Sequence, residues 1–226
     1  MTVVTGQTEE RIADELAGLS AAFETAPAGA VLRWAVERFG RSLVYACSFQ
    51  DAVLLDLAMA ADPGMAVVFL DTGHHFPETL AYVEQLRARY DLDLTVARPG
   101  PEAAAVPCGA EGCCQLRKVA PLARALRGRQ AWVSGVKRVD APTRAGTPIV
   151  SWDAARSMVK VNPLATWTED DVRHYQHDHG LPTHPLASRG YLSIGCAPTT
   201  RPVAPGEDPR AGRWSGSDRT ECGLHV

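Results

Sequence analysis

Cys222 stands on a Gly-flanked terminal peptide, Thr220-Glu221-Cys222-Gly223-Leu224-His225-Val226, after a stretch rich in Pro, Gly and Arg. Chain ends are usually mobile, and no apolar run is present here to bury a thiol. A tethered thiolate can swing into a pocket and act as a nucleophile, its ionised fraction set by nearby positive charge. Arg219 and His225 flank it. The plain alternative is a stray thiol on a frayed end, and this peptide alone does not separate the two.

Five further cysteines precede it: Cys47, Cys108, Cys113, Cys114 and Cys196. Cys113 and Cys114 are adjacent and so are poorly placed to bridge each other. Cys196 opens the run Cys196-Ala197-Pro198-Thr199. Two pairs of cysteines would hold a four-iron, four-sulfur cluster, each iron taking one thiolate. Here Thr199 occupies the place a second Cys would take in Cys-x-x-Cys, and a neutral hydroxyl is a hard donor where iron in clusters prefers thiolate. Cys108, in Pro107-Cys108-Gly109, is the only other cysteine near Cys113 in sequence. Cys47 lies in the apolar run Leu43-Val44-Tyr45-Ala46-Cys47 and reads as a buried small hydrophobe.

Basic residues gather in loops: Lys118, Lys137, Arg138 and Arg144, then Arg201, Arg210 and Arg213. Arg forks suit phosphate and sulfate oxygens. The formal net charge is -3, so loop cations more readily face an anionic ligand than balance the surface. The same negative balance gives no electrostatic case for wrapping nucleic acid. Two polar loops follow apolar runs. Ser48-Phe49-Gln50-Asp51 precedes a helix N-terminus that would favour an anion, with a plain N-cap at Ser48 as the bland reading. Asp71-Thr72-Gly73-His74-His75-Phe76-Pro77 suits a nucleotide's base or ribose. A zinc site at its paired histidines is disfavoured, because adjacent residues on a turn rarely aim at one ion.

The elements that must position these groups follow from the apolar pattern. Ile12, Leu16 and Leu19 recur at helical spacing, and residues 8–39 read as helices. Strands are expected at 43–47, 66–70, 92–97, 131–135 and 158–161, and helices at 52–60 and 78–90. Thr168 with Asp171 predicts a capping box opening a helix through about His179. Strands alternating with helices predict an α/β fold with a parallel sheet flanked by helices, ligands binding outside the strands' carboxyl ends. The stretch from Leu181 to Val226 carries six prolines and little periodicity, and reads as an irregular arm over the active face. The expected organisation is a single domain: helices over about 1–40, a nucleotide-binding core over about 41–180 and the arm over about 181–226. The 226 residues are 46% hydrophobic and 22% charged, which fits a globular chain. No apolar run reaches the roughly 18 residues of a membrane span. The N-terminus has no basic patch followed by an apolar core, so a cytoplasmic location is expected.

Taken in order, the motifs resemble one family. Cys113-Cys114-Gln115-Leu116-Arg117-Lys118 resembles the Cys-Cys-x-x-Arg-Lys run of the assimilatory adenylyl-sulfate (APS) reductases. Asp71-Thr72-Gly73, Phe76-Pro77-Glu78-Thr79 and Arg138-Val139-Asp140-Ala141-Pro142-Thr143-Arg144 resemble their Asp-Thr-Gly and substrate loops. Gly190 to Cys196, Thr200-Arg201-Pro202-Val203 and the Glu-Cys-Gly-Leu-His ending complete the set. The related phosphoadenylyl-sulfate (PAPS) reductases share fold and tail but lack the cluster cysteines.

The resemblance implies an adenine-nucleotide hydrolase-like fold. Ser48, Gln50, Thr72 and Gly73 would surround the nucleotide, while Lys118, Arg144, Arg210 and Arg213 would contact its phosphate and sulfate. Cys222 would attack the sulfate sulfur and expel AMP, and thioredoxin would then release sulfite. Cys113, Cys114 and Cys196 would ligate a [4Fe–4S] cluster. With Thr199 in the fourth place, three outcomes stay open: a non-Cys fourth ligand such as Thr199 or water, a three-iron form, or no cluster. Recruitment of Cys108 ranks behind these. Trp214-Ser215 also departs from the aromatic pair usual beside the family's arm arginines. A homo-oligomer is expected. The rivals are PAPS reduction without a cluster, a pyrophosphatase-type nucleotide ligase, and a non-catalytic nucleotide-binding redox sensor.

Overall fold

The structure is a computed structural model that describes residues 2–214, 219 and 221–224, with the side chains of 2–8 left aside. In chain order its elements are α1 (Thr2–Ala22), α2 (Ala28–Phe39), β1 (Leu43–Cys47), α3 (Val53–Ala61), β2 (Ala66–Leu70) and α4 (Pro77–Tyr90). There follow β3 (Leu94–Ala97), α5 (Ala120–Ala125), β4 (Ala131–Val133), β5 (Val150–Asp153), β6 (Met158–Val161) and α6 (Glu169–Asp178). The chain divides into two compact units, each assembled from separate stretches. One comprises Met1–Tyr45, Val53–Ala66 and Gly128–His177; the other comprises Ala46–Ala52, Val67–Arg127 and Asp178–Val226.

In the first unit β1, β4 and β6 run parallel, with Leu43 opposite Ala131 and Ala131 opposite Val159. Their apolar residues are almost wholly buried, Leu43, Val44, Ala131, Val133 and Val161 among them. Continuous apolar runs of this kind suit parallel strands covered on both faces. β5 departs from the expected all-parallel pattern. It pairs antiparallel with β6, Val150 opposite Val161, and the pair is joined by a turn with Ser157 at φ 51°. Ser20 of α1 is buried and its hydroxyl accepts hydrogen bonds from the N–H groups of Ile149 and Val150 at 2.9 and 3.4 Å. That contact fixes where the edge strand starts. The capping box on α6 is formed as expected: Thr168 N–H donates to Asp171 Oδ2 at 2.8 Å and Asp171 N–H to Thr168 Oγ1 at 3.1 Å.

In the second unit β2, α4 and β3 form a β-α-β crossover with β2 and β3 parallel, Val67 opposite Leu94. α4 starts at Pro77, whose missing N–H costs nothing at a helix's first position, and ends on Asp91 in the left-handed conformation. The C-terminal arm is pinned to this helix. Tyr82 donates its hydroxyl hydrogen to the Pro182 carbonyl at 2.7 Å. His184 is fully buried, edge-on to Tyr82 with ring centroids 5.0 Å apart. Its Nδ1 accepts from Leu186 N–H at 3.1 Å, which leaves Nε2 to donate to Thr79 Oγ1 at 3.1 Å.

Burial lowers the His184 pKa to about 4 from 6.5. A histidine kept neutral in the fold binds a proton more readily when unfolded, so it favours the fold fully above pH 6.5 and loses that contribution as pH falls toward 4. Between those limits unfolding free energy should drop by up to about 3 kcal/mol from this group. Urea titrations across that range should show a flatter pH dependence in His184→Asn, whose amide reaches the Nδ1 position. An unchanged slope would exclude His184 as the source.

Candidate active site

The sulfur-bearing residues meet in the second unit. Cys108, Cys113, Cys114 and Cys196 line one pocket, together with Gly109, Arg117, Lys118, Thr199, Arg213 and Trp214. Cys113 and Cys114 start a helical stretch that continues as a π-helical turn over Gln115–Val119 and then as α5. Pro121 gives a physical reason for the widened turn, because it cannot donate to the carbonyl four residues back. The sequence reading had no helix here.

Arg117 is the residue that reading quoted without giving it a role. It is buried, and it donates from Nη1 to the Thr72 carbonyl at 3.0 Å and from Nη2 to the Ala103 and Val106 carbonyls at 2.6 and 3.3 Å. One guanidinium thus ties the Asp-Thr-Gly loop, the 101–106 turn and the cysteine helix together. Asp71 closes its own loop by accepting from Gly73 N–H at 3.0 Å, with Gly73 at φ 73°. Thr72 is buried, and its hydroxyl lies 3.5 Å from Cys196 Sγ. His74 carbonyl accepts from Ala197 N–H at 2.7 Å, holding the Cys196 turn against the same loop. His75 is not aimed at an ion: its Nε2 lies 2.9 Å from the Leu70 carbonyl and its ring packs on Phe69.

Two arm residues frame the basic side. Arg213 donates from Nη1 to the Ile194 carbonyl at 2.9 Å. It lies so close to Gly195 that a Cβ there would sit 2.5 Å from the guanidinium. Trp214 is buried at φ 49°, with Arg213 4.7 Å and Arg210 5.4 Å from its ring centroid. Its π face therefore positions both arginines the sequence reading selected. Arg210 also pairs with Glu221 at 3.5 Å, so the residue before Cys222 is tethered to the arm. Gly223 lies along Val119, a Cβ there falling 3.8 Å from its Cγ2. The tail lies along the cysteine helix, and charge on Cys222 adds to the upward shift of the Cys114 thiol. Ser215, Thr220, His225 and Val226 lie outside the described residues.

Burial, then the neighbouring Cys196 and Cys113, pushes the Cys108 thiol up to about 12. Burial also raises Cys114, opposed by the Lys118 charge one helical turn on. Among the described residues, no group of three or more His, Cys, Asp or Glu side chains is set to hold a single metal ion. A cubane cluster holds its thiolates farther apart than one ion does, so the pocket's four thiols remain a chemically suitable donor set for it.

The remaining candidates stand as follows. Ser48 is exposed, and its hydroxyl accepts from Gln50 N–H at 3.4 Å, while α3 begins only at Val53. It therefore closes a local turn rather than capping the helix. Gln50 Oε1 accepts from Ile194 N–H at 3.1 Å, and between the two Phe49 is buried at φ 53° against Phe69. Cys47 is buried, as read. Arg144 lies in the first unit, 3.0 Å from Asp140, which also takes Lys137 at 2.9 Å. Arg138 is held bidentately by Glu24, and Arg201 by Glu207. Those carboxylates offset much of the loop charge that pointed to an anion.

Comparison with known proteins agrees with the motif resemblance. The model of the phosphoadenosine phosphosulfate reductase domain matches residues 42–202. The adenosine 5'-phosphosulfate reductase of Mycolicibacterium smegmatis is 45% identical, covering 100% of both chains. That of Streptomyces coelicolor is 44% identical over 98% of this chain and 100% of its own. Among solved structures, a Candida auris phosphoadenylyl-sulfate reductase in a phosphate complex aligns with a TM-score of 0.71 at 27% identity, covering 83% of this chain and 97% of that one. A Candida glabrata FMN adenylyltransferase aligns with a TM-score of 0.61 at 15% identity over 84% of this chain and 72% of its own, a likeness of fold alone. No helix among the described residues is long and apolar enough to cross a membrane.

If Arg117 is the tie between these loops, Arg117→Met should lower the unfolding free energy by about 3 kcal/mol, since it leaves two buried carbonyls and a partly buried one without a charged donor. Urea unfolding at neutral pH measures this. A loss below about 0.5 kcal/mol would show that the loops hold without it.

Proposed function

The chain belongs to the phosphoadenosine phosphosulfate reductase family, and on that premise we propose that it reduces adenylyl sulfate to sulfite and AMP through a Cys222 S-sulfonate. The observation that supports the proposal is the placing of the peptide around Cys222, with Glu221 paired to Arg210 and Gly223 along Val119, the residue after Lys118 of the pocket that Arg213 also lines. The full-length relatives named for adenosine 5'-phosphosulfate support the choice of substrate.

In this mechanism Lys118, Arg210 and Arg213 bind the phosphate and sulfate oxygens, and Ser48, Gln50 and Gly73 line the nucleotide side. Thr72 holds its place through backbone and hydroxyl. Arg144 stays with Asp140 and is given no step. The Cys222 thiolate attacks the sulfate sulfur; the S–O bond to the phosphate breaks and its electron pair leaves with AMP. Cationic side chains stabilise the charge that develops on the phosphate oxygen. A dithiol of the thioredoxin type then attacks Cys222 Sγ and expels sulfite. Its second thiol closes the disulfide, so the dithiol supplies two electrons and Cys222 regains its thiol. Cys113, Cys114 and Cys196 would hold a [4Fe–4S] cluster, which when bound would add charge beside Lys118 and lock the loops that carry the pocket. We place the reaction in sulfate assimilation in the cytoplasm, by a single-domain homo-oligomer.

Thr199 favours one competing substrate, PAPS, because enzymes reducing it lack the cluster cysteines. Sulfite release from APS and from PAPS with a dithiol donor separates the two. The expectation is preference for APS and a loss of about 10³-fold or more in Cys222→Ser, as befits removal of a nucleophile. Stronger turnover of PAPS would replace the substrate assignment. Sulfite release that survives Cys222→Ser would remove the mechanism.

A further inference from the structure

Cys108 stands five residues before Cys113, outside the Cys-Cys…Cys-x-x-Cys pattern. Two successive turns carry it inward. Ala110 N–H donates to the Pro107 carbonyl at 3.2 Å, and Cys113 N–H to the Ala110 carbonyl at 3.2 Å. Their third positions are Gly109 at φ 91° and Gly112 at φ 74°, the conformation a type II turn asks of glycine. The result is that Cys108 faces the same pocket as Cys113, Cys114 and Cys196.

The place left by the missing fourth cysteine is next to it. A Cβ on Gly109 would lie 3.0 Å from the Thr199 methyl, so the Cys108 turn packs directly on Thr199. The Thr199 hydroxyl is 3.4 Å from the Cys196 carbonyl, and Thr199 lines the same pocket as Cys108 and Cys196. A thiol and a hydroxyl thus compete for one corner of the site. Iron in such clusters takes thiolate over a neutral hydroxyl.

We propose that Cys108 is the fourth cluster ligand, replacing the cysteine absent at position 199, and that Thr199 serves as a hydrogen-bond donor to the Cys108 sulfur. The proposal rests on the reading that this chain's cysteine pocket holds a [4Fe–4S] cluster. Coordination replaces the Cys108 S–H bond by an Fe–S bond, with the proton passing to water. Hydrogen bonds to cluster sulfurs set reduction potential, so Thr199 acts on the cluster's electronics without binding iron.

The test uses the full chain carrying Cys222→Ser, which cannot turn over, so iron binding is read independently of reductase activity. Each variant is reconstituted anaerobically with iron salts, sulfide and a thiol reductant, then analysed for iron and sulfide and by EPR. The parent should hold about four irons per chain, one per thiolate. Cys108→Ser should lose at least one, with a three-iron EPR signal or none. Cys108→Ser/Thr199→Cys should regain the fourth, which excludes misfolding as the cause. Thr199→Ala should keep the full count. Full iron in Cys108→Ser, loss of iron in Thr199→Ala, or no uptake by the parent would each overturn the proposal. Failure of Cys222-dependent sulfite release would leave these counts untouched.

Discussion

The guanidinium of Arg117 is the constraint on which the site depends. It is buried, and its charge is met by the backbone carbonyls of Thr72, Ala103 and Val106. Hydrogen bonds of this charge-assisted kind are strong inside a protein because the local dielectric is low. They fix three chain segments that have no sheet or helix in common. Thr72 then stands against Cys196, while the 101–106 turn leads directly into the Cys108 turn and back to Cys113. The convergence of sulfurs is therefore a backbone property of the loops, present before any metal or nucleotide is considered.

The arm adds the cationic side by a different device. The Trp214 ring is flanked by Arg210 and Arg213, and Gly195 lacks the Cβ that would block Arg213 from the Ile194 carbonyl. Gly212 has a similar part: a Cβ there would fall 2.1 Å from the Arg201 carbonyl oxygen, to which strand-like pairing of Thr200 with Arg213 brings it close. Through Glu221, Arg210 reaches the tail. A partly exposed ion pair such as Arg210 with Glu221 contributes little to holding the tail, which suits the proposed role of Cys222 as a thiol that meets substrate and then reductant.

Much of the scaffold was legible in the sequence because it follows local rules. The apolar runs at 43–47 and 66–70 are strands with the bounds expected, and Thr168 with Asp171 is a capping box. β5 was not legible. It has four residues, only Val150 of them buried, and its turn uses Ser157 in a conformation that usually signals glycine. Ser48 misled for a related reason, its hydroxyl closing a turn before the helix begins. At the site, the motif residues were visible and their partners were not. Glu24 lies more than a hundred residues from Arg138, and no spacing rule reaches that far. The approach of Cys108 to the pocket was not legible, because it depends on Gly109 and Gly112 adopting left-handed backbone, which sequence permits without requiring.

The central claim is that Cys222 itself takes the sulfonate. Protein mixed with adenylyl sulfate in the absence of any thiol reductant, then digested with trypsin and weighed, tests it most directly. The account predicts a gain of about 80 Da on the fragment spanning residues 220–226, the mass of a transferred sulfonate displacing AMP, and its loss on adding a dithiol. An unmodified fragment while AMP is released, or the same gain on a peptide carrying another cysteine, would contradict it.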